Sequence, residues 1–186
     1  SAQRPVIVAG GGVQRSNAAD EVTRMADMIG AAITTSYGRA DAVPNDHPMY
    51  LGHLGRLGSE EGIEAAKQAD VILAVGTRLG QSTAFYDNRY IPADAKIIQI
   101  EIDPEELGRN YPVAVGIEGD AKAVMESLLE QVQQAEPRPN QRWVDDIGDL
   151  AARRKRRLDG EATDNSMPIK PQRVYGELRR VMPRDA

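Results

Sequence analysis

The apolar and polar positions of this chain alternate between two rhythms. Residues 5–10 (PVIVAG) are an unbroken apolar run ending in glycine, the pattern of a strand buried on both faces. Residues 17–31 then place Val22, Met25, Ala26 and Ile29 at helical spacing, with Asn17 where an N-cap is expected and Asp20 three residues on. A strand is expected over 31–36 (AAITTS), followed by a long glycine-rich connection to about Ser59 and a short helix, SEEGIEAAKQA. DVILAVGT (70–77) carries the clearest strand pattern of the chain. The loop QSTAFYDNRYIPADA leads to a further strand, KIIQIEID (96–103), and Pro104 opens a helical turn, PEELG. PVAVGIEG (112–119) reads as the last strand. DAKAVMESLLEQVQQ (120–134) reads as an amphipathic helix turning Ala123, Val124, Ser127, Leu128 and Val132 inward.

Continuous apolar strands separated by helices predict a parallel sheet covered on both faces, so residues 1–135 read as one doubly wound α/β domain. Residues 136–166 read differently. EPRPNQ is a linker signal, and QRWVDDIGDLAARRKRRLDG is a charged helix with Trp143, Val144, Ile147, Leu150 and Ala151 as its apolar stripe. The basic run Arg153-Arg154-Lys155-Arg156-Arg157 admits a nucleic-acid or localisation reading, but as an isolated run it reads as a solvated helix end. Residues 167–186 (MPIKPQRVYGELRRVMPRDA) contain a proline-opened helix and read as the start of a further domain, of which the chain holds only the first part.

Composition narrows the chemistry. There is no cysteine, so no disulfide, thiolate metal site or Cys nucleophile, which fits a cytoplasmic protein. No apolar run approaches the roughly 20 residues of a membrane span, so no membrane partner is expected. The net charge of −5 argues against a nucleic-acid partner. Two histidines leave few candidates for metal or triad chemistry, and no metal site is expected. A single Trp and a single Phe argue against an aromatic stacking surface.

Four clusters sit at the expected ends of strands. The first is Gly10-Gly11-Gly12, which begins a G-x-G-x-x-G dinucleotide fingerprint that fails at its third glycine, where Arg15 stands. The acid that should end the second strand is also missing, since that strand ends in Thr34, Thr35 and Ser36. These two failures argue against an NAD dehydrogenase, and leave open whether the glycines cradle a nucleotide or only turn the chain. The second cluster is YLGHLGRLGS, with Gly52, Gly55 and Gly58 around His53: a loop along a nucleotide, or a compact connection. The third, VGTRLG, puts Arg78 just past a strand, where it would hold a phosphate or form a surface ion pair. The fourth, QIEIDPEE, ends in Glu101 and Asp103, carboxylates placed to accept from ribose hydroxyls; Asp120 ends the next strand and equally suits a helix N-cap. In a doubly wound fold all these ends face one way, which predicts a single binding crevice.

The ordered motifs VIVAGGGV, ADMIGAAITTSYGRADAVPNDHPMYLGHLGRLGS, ADVILAVGTRLG, KIIQIEIDPEELG and VGIEGDAK resemble the central domain of thiamine-diphosphate-dependent enzymes of the acetolactate synthase type. The resemblance covers residues 5 to about 134, and SMPIKPQRVYGELRRVMP resembles the start of that family's C-terminal, diphosphate-binding domain. Within the family GTRLGQST, IPADAKIIQIEIDPEELG and VGIEGDAK look closest to the sulfoacetaldehyde acetyltransferase branch. The resemblance implies a Rossmann-like parallel sheet of about six strands. It also implies a parent enzyme that uses thiamine diphosphate and Mg²⁺ on 2-keto acids or sulfoacetaldehyde, and that is a homodimer or homotetramer. The central domain would hold FAD or another ADP-containing nucleotide, or be structural; a self-contained flavin- or nucleotide-binding module is the alternative. Its partners would be the N- and C-terminal domains of the same chain. Carried over by position, the cofactor-binding residues would be Gly10, Gly11, Thr35, Ser36, Leu51, Gly52, His53, Gly55, Gly76, Arg78, Glu101, Ile102, Asp120 and Ala121. FAD-binding relatives continue G-x-R with an aromatic, acids and a second arginine; here the chain reads Arg78-Leu79-Gly80-Gln81, a departure that leaves ADP-like binding or an empty crevice open. The family's Mg²⁺–diphosphate motif, G-D-G followed by N-N, is also not matched: the chain reads Gly119-Asp120-Ala121 and has no Asn-Asn. These 186 residues are therefore expected to hold no catalytic residue and not to catalyse the parent reaction by themselves.

Overall fold

A computed structural model describes residues 2–183. Six strands form one parallel sheet: β1 (Pro5–Ala9), β2 (Ala32–Thr35), β3 (Tyr50–His53), β4 (Val71–Val75), β5 (Lys96–Glu101) and β6 (Val115–Glu118). Their order is β3-β2-β1-β4-β5-β6, the doubly wound arrangement. The order reverses at β1, whose neighbours are β2 and β4. There the chain crosses from one half of the sheet to the other and leaves an opening beyond the strands' carboxyl ends.

Strand alternation divides the core in two. Val6 and Val8 of β1 point to one face with Ile72 and Ala74 of β4; Ile7 and Ala9 point to the other with Leu73 and Val75. On the second face lie α1 (Gly11–Ser16), α2 (Ala19–Ile29) and α5 (Ala121–Gln134). On the first lie α3 (Glu60–Gln68), the segment around the short α4 (Gln81–Ala84), and α6 (Gln141–Thr163). The doubly wound class, the helical coverage of both faces and a C-terminal helix, α7 (Pro171–Val181), are as the sequence predicts.

Four local expectations are corrected. Asn17 is not an N-cap: it closes α1 in the left-handed conformation (φ 54°) that Asn tolerates, and α2 starts two residues later. The glycine-rich connection contains β3, which pairs with β2 through an irregular register between Ile33 and Thr35. The inward stripe of α5 is Ala121, Met125 and Leu129, with Val124, Leu128 and Val132 flanking it and Ala123 and Ser127 exposed. The basic run is no helix end. It lies within α6, where Arg157 meets Glu61 of α3 at 2.8 Å, Arg153 meets Glu64, and Arg154 lies 5.0 Å over the Tyr50 ring.

The α6 helix is part of the core. Trp143, Ile147 and Leu150 are buried against β1 and α3, and Trp143 Nε1 donates to the Pro5 carbonyl at 3.2 Å. By contrast α7 buries none of its residues and packs on α6, where Gly176 meets Ala162. Among the described residues no helix is long and apolar enough to cross a membrane.

Candidate functional site: a crevice at the switch point

The connections leaving β1, β2, β4, β5 and β6 at their carboxyl ends enclose a cavity of about 850 Å³. Its floor is built by glycines. Gly76 follows β4 with φ +56°, and its carbonyl accepts from Gly12 N at 2.9 Å. A β-carbon on Gly10 would lie 2.3 Å from the Gly76 carbonyl, and one on Gly12 2.6 Å from the Gly76 Cα. Two of the three opening glycines are thus required for the β1 turn to lie against the β4 turn, whatever the crevice binds. Gly11 differs: a β-carbon there would meet the Arg39 guanidine at 2.9 Å, so the missing side chain lets Arg39 lie against the β1 turn at the crevice wall.

The wall beyond β4 and β5 is a hydrogen-bonded unit. Ser36 and Thr77 share a hydroxyl contact of 2.7 Å, and Thr77 Oγ1 also accepts from Leu79 N. Gln99, a buried polar residue on β5, donates to the Thr77 and Glu106 carbonyls and accepts from Gly108 N. This explains a glutamine inside an otherwise apolar strand: its amide ties the two loops together. Asn110 donates to the Arg78 carbonyl at 2.7 Å. The Glu106 carboxylate, only 10% exposed, receives Arg109 at 2.7 Å and Arg78 at 3.5 Å and so holds both guanidinium groups at the wall.

Charge is distributed around the rim. Arg15 and Arg39 stand by the β1 and β2 connections; Glu101, Asp103 and Asp120 stand at the ends of β5 and β6. Asp120 Oδ1 caps α5, accepting from Lys122 N at 3.0 Å and Ala123 N at 3.2 Å. Glu101 Oε1 accepts from Ile102 N, which turns that carboxylate back on its own loop.

Of the residues carried over from the resemblance, Gly11, Ser36, Gly76, Arg78, Glu101, Ile102, Asp120 and Ala121 line the crevice. Gly10 lies beneath it, packed on Gly76. Thr35 is buried 3.5 Å from the Tyr50 hydroxyl. Leu51 is in the core. Gly52 has φ +97° and faces Ser59, and Gly55, at the same φ, packs on the Ser82 carbonyl of α4. His53 sits edge-on to Tyr37 at 6.1 Å; burial, with the Arg154 charge adding to it, lowers its pKa against an opposing hydrogen bond with the Leu57 backbone. The crevice also gathers residues that the sequence pattern does not single out: Tyr37, Arg39, Tyr86, Arg109 and Asn110. The aromatic content is distributed unexpectedly, since the one Trp is in the core while Tyr37 and Tyr86 stand exposed at the crevice.

Residues 1–128 match the pattern that defines the thiamine pyrophosphate enzyme central domain. The chain is 36% identical over 181 residues to the probable acetolactate synthase large subunit of Methanocaldococcus jannaschii, covering 97% of this chain and 30% of that one. It is 45% identical over 130 residues to the sulfoacetaldehyde acetyltransferase of Alcaligenes xylosoxydans xylosoxydans, covering 69% of this chain and 22% of that one. The sulfoacetaldehyde acetyltransferase of Roseovarius nubinhibens is 43% identical over 130 residues, again 69% of this chain and 22% of the other. The chain thus spans less than a third of the length of these curated relatives. With the sheet order 3-2-1-4-5-6 and the match over most of its length, it belongs to the thiamine pyrophosphate enzyme family, as that family's central domain.

Proposed function

We propose that this domain binds an ADP-containing nucleotide, ADP itself or FAD, in the crevice at its switch point, in a non-redox role. The observation that carries the reading is the division of the crevice rim. Guanidinium groups (Arg39 beside Gly11, Arg78 and Arg109 on Glu106) suit phosphates, and carboxylates at the ends of β5 and β6 suit ribose hydroxyls. Gly11 fits such a group, since a side chain there would collide with Arg39 and push its guanidinium off the β1 turn. When bound, the nucleotide would be held by Gly11, Ser36, Arg78, Glu101 and Asp120, the last only through whatever its capping of α5 leaves free.

The parent enzyme is proposed to convert sulfoacetaldehyde and phosphate to acetyl phosphate and sulfite, with acetolactate synthesis from pyruvate as the alternative. The 43–45% identity over 130 residues to the two acetyltransferases supports the first, and the 36% identity over 181 residues to the synthase supports the second. Thiamine diphosphate supplies the carbanion chemistry of such reactions. The described residues do not fit its Mg²⁺–diphosphate site: Gly119-Asp120-Ala121 lacks the second glycine, and Asp120 is engaged as a helix cap. The domain by itself is therefore proposed to be non-catalytic.

Titration calorimetry of the chain with ADP, ATP, FAD and coenzyme A tests the nucleotide reading. Binding is expected to weaken at least tenfold in Arg78→Met. Silence from all four at millimolar concentration would leave a scaffold, a reading already favoured at one point: Leu51, Gly52 and Gly55 are accounted for by packing. For the parent, release of sulfite from sulfoacetaldehyde by the full-length protein distinguishes the two reactions.

A further inference from the structure

The segment after β4 is the strained part of the crevice wall. Leu79, Phe85 and Tyr86 all occupy the left-handed region, at φ 48°, 62° and 59°. For bulky side chains this is an outlier that the surrounding structure must impose. What imposes it is visible. Tyr111, buried, donates its hydroxyl towards the Ala84 carbonyl at 2.6 Å and lies 2.8 Å from the Asp87 carbonyl, pinning the chain on both sides of the two strained aromatics. Arg89 pairs with Asp87 and lies 4.5 Å from the centroid of the Phe85 ring, which also meets Tyr90 edge-on at 5.4 Å.

Phe85 therefore turns inward to its neighbours, while Tyr86 is directed out into the crevice, 54% exposed. Its hydroxyl reaches back to Gly80 at the start of α4, where a β-carbon on Gly80 would lie 4.0 Å from it. Tyr37 arrives at the same helix from β2, its N–H donating to Thr83 Oγ1 at 3.2 Å, and is 45% exposed. Two exposed tyrosines thus line one polar crevice, and Tyr86 is held there against backbone preference. A large exposed ring on a crevice wall offers an apolar face and a hydroxyl to whatever the crevice binds.

We infer that Tyr86 is a stacking platform for the planar heteroaromatic ring of the crevice ligand, held in place by Tyr111. The ligand class is accordingly a ring joined through a sugar to phosphate. This rests on the nucleotide reading of the crevice and adds to it the ring contact, which neither the arginines nor the carboxylates supply.

The test compares ADP with ribose 5-diphosphate, which is ADP without its ring, by calorimetry on the chain and on Tyr86→Leu and Tyr86→Phe. Base stacking on an aromatic side chain is worth roughly tenfold or more in affinity. ADP is expected to bind the unaltered chain at least tenfold more tightly than ribose 5-diphosphate. Tyr86→Leu should remove most of that advantage without changing ribose 5-diphosphate binding, and Tyr86→Phe should preserve it. Equal binding of the two probes, or equal weakening of both by Tyr86→Leu, overturns the platform and leaves the nucleotide site standing. Binding of neither probe overturns both.

Discussion

Gly12 and Gly76 pass backbone to backbone across the switch point: a β-carbon on Gly76 would stand 2.5 Å from the Cα of Gly12, and one on Gly12 would stand 2.6 Å from the Cα of Gly76. The floor of the crevice and the seam between the halves of the sheet are therefore one contact. Gly76 also has φ +56°, so alanine there meets both a strained conformation and a backbone clash. Gly76→Ala is expected to cost about 3 kcal/mol or more, the sum of an overpacking and a left-handed penalty. Gly38 is the control: it too is left-handed, at φ +72°, but a β-carbon there meets nothing within 4 Å. Gly38→Ala should cost only about 1 kcal/mol. Urea unfolding midpoints of the two variants check the difference; equal costs would refute the clash.

That contact shows what a sequence discloses and what it does not. The turn glycines and the buried strands β1 and β4 are legible because an apolar run closed by glycine fits a buried strand and its turn and little else. β3 is not, since it has four residues, an irregular register with β2 and a left-handed glycine at its third position. The strand-end acids and Arg78 are legible as crevice residues because strand polarity alone places them. Arg39, Arg109 and Tyr86 are not, because loops of several residues carry them back over the strand ends, and loop paths depend on distant contacts such as Gln99 to Thr77. The role of Gly10 and Gly12 is hidden for the same reason: the clash that demands them is with Gly76, more than sixty positions along the chain.

The strain at Tyr86 separates stability from binding. Glycine adopts φ 59° freely, and the exposed Tyr86 ring contributes little packing. Tyr86→Gly is expected to raise the unfolding free energy by about 0.5–1 kcal/mol, as relief of a left-handed penalty offset in part by a more flexible unfolded chain. The same variant should lose ADP affinity. A variant that is less stable than the original in urea would mean that the ring is retained for packing.

Glu61 links α3 to α6 and sets an acid limit on stability. It is 1% exposed; burial alone would raise its pKa, but hydrogen bonds from Arg157, its own backbone N–H and Ser59 outweigh this and hold it at about 2. A folded-state value below the usual carboxylate range means stability that is fully present above about pH 4.5 and is lost as pH falls towards 2. The displacement corresponds to roughly 3 kcal/mol. Glu61→Gln should therefore cost about 2–4 kcal/mol at pH 7, because it leaves Arg157 without its counter-charge. It should also flatten the stability profile between pH 4.5 and 2. Urea titrations of both proteins across that window decide it, and an unchanged slope in the variant would assign the acid limit to other carboxylates.

Trp143 tests whether α6 belongs to the domain or merely follows it. The side chain is 1% exposed, packs beside β1 and α3, and donates to the Pro5 carbonyl from 138 positions away. Trp143→Ala should cost about 3–5 kcal/mol, the penalty of a large core truncation. Trp143→Phe keeps most of the volume but leaves the Pro5 carbonyl without its donor, and should cost about 1–3 kcal/mol. On α7, which buries nothing, Tyr175→Ala should stay within about 0.5 kcal/mol, as surface substitutions do. Trp143 is the only tryptophan, so its emission reports α6 alone. If α6 is part of the cooperative core, the red shift on urea unfolding should coincide with the loss of far-ultraviolet circular dichroism. A red shift at lower urea than the circular dichroism transition would show that α6 undocks first and that the sheet with its other helices stands without it.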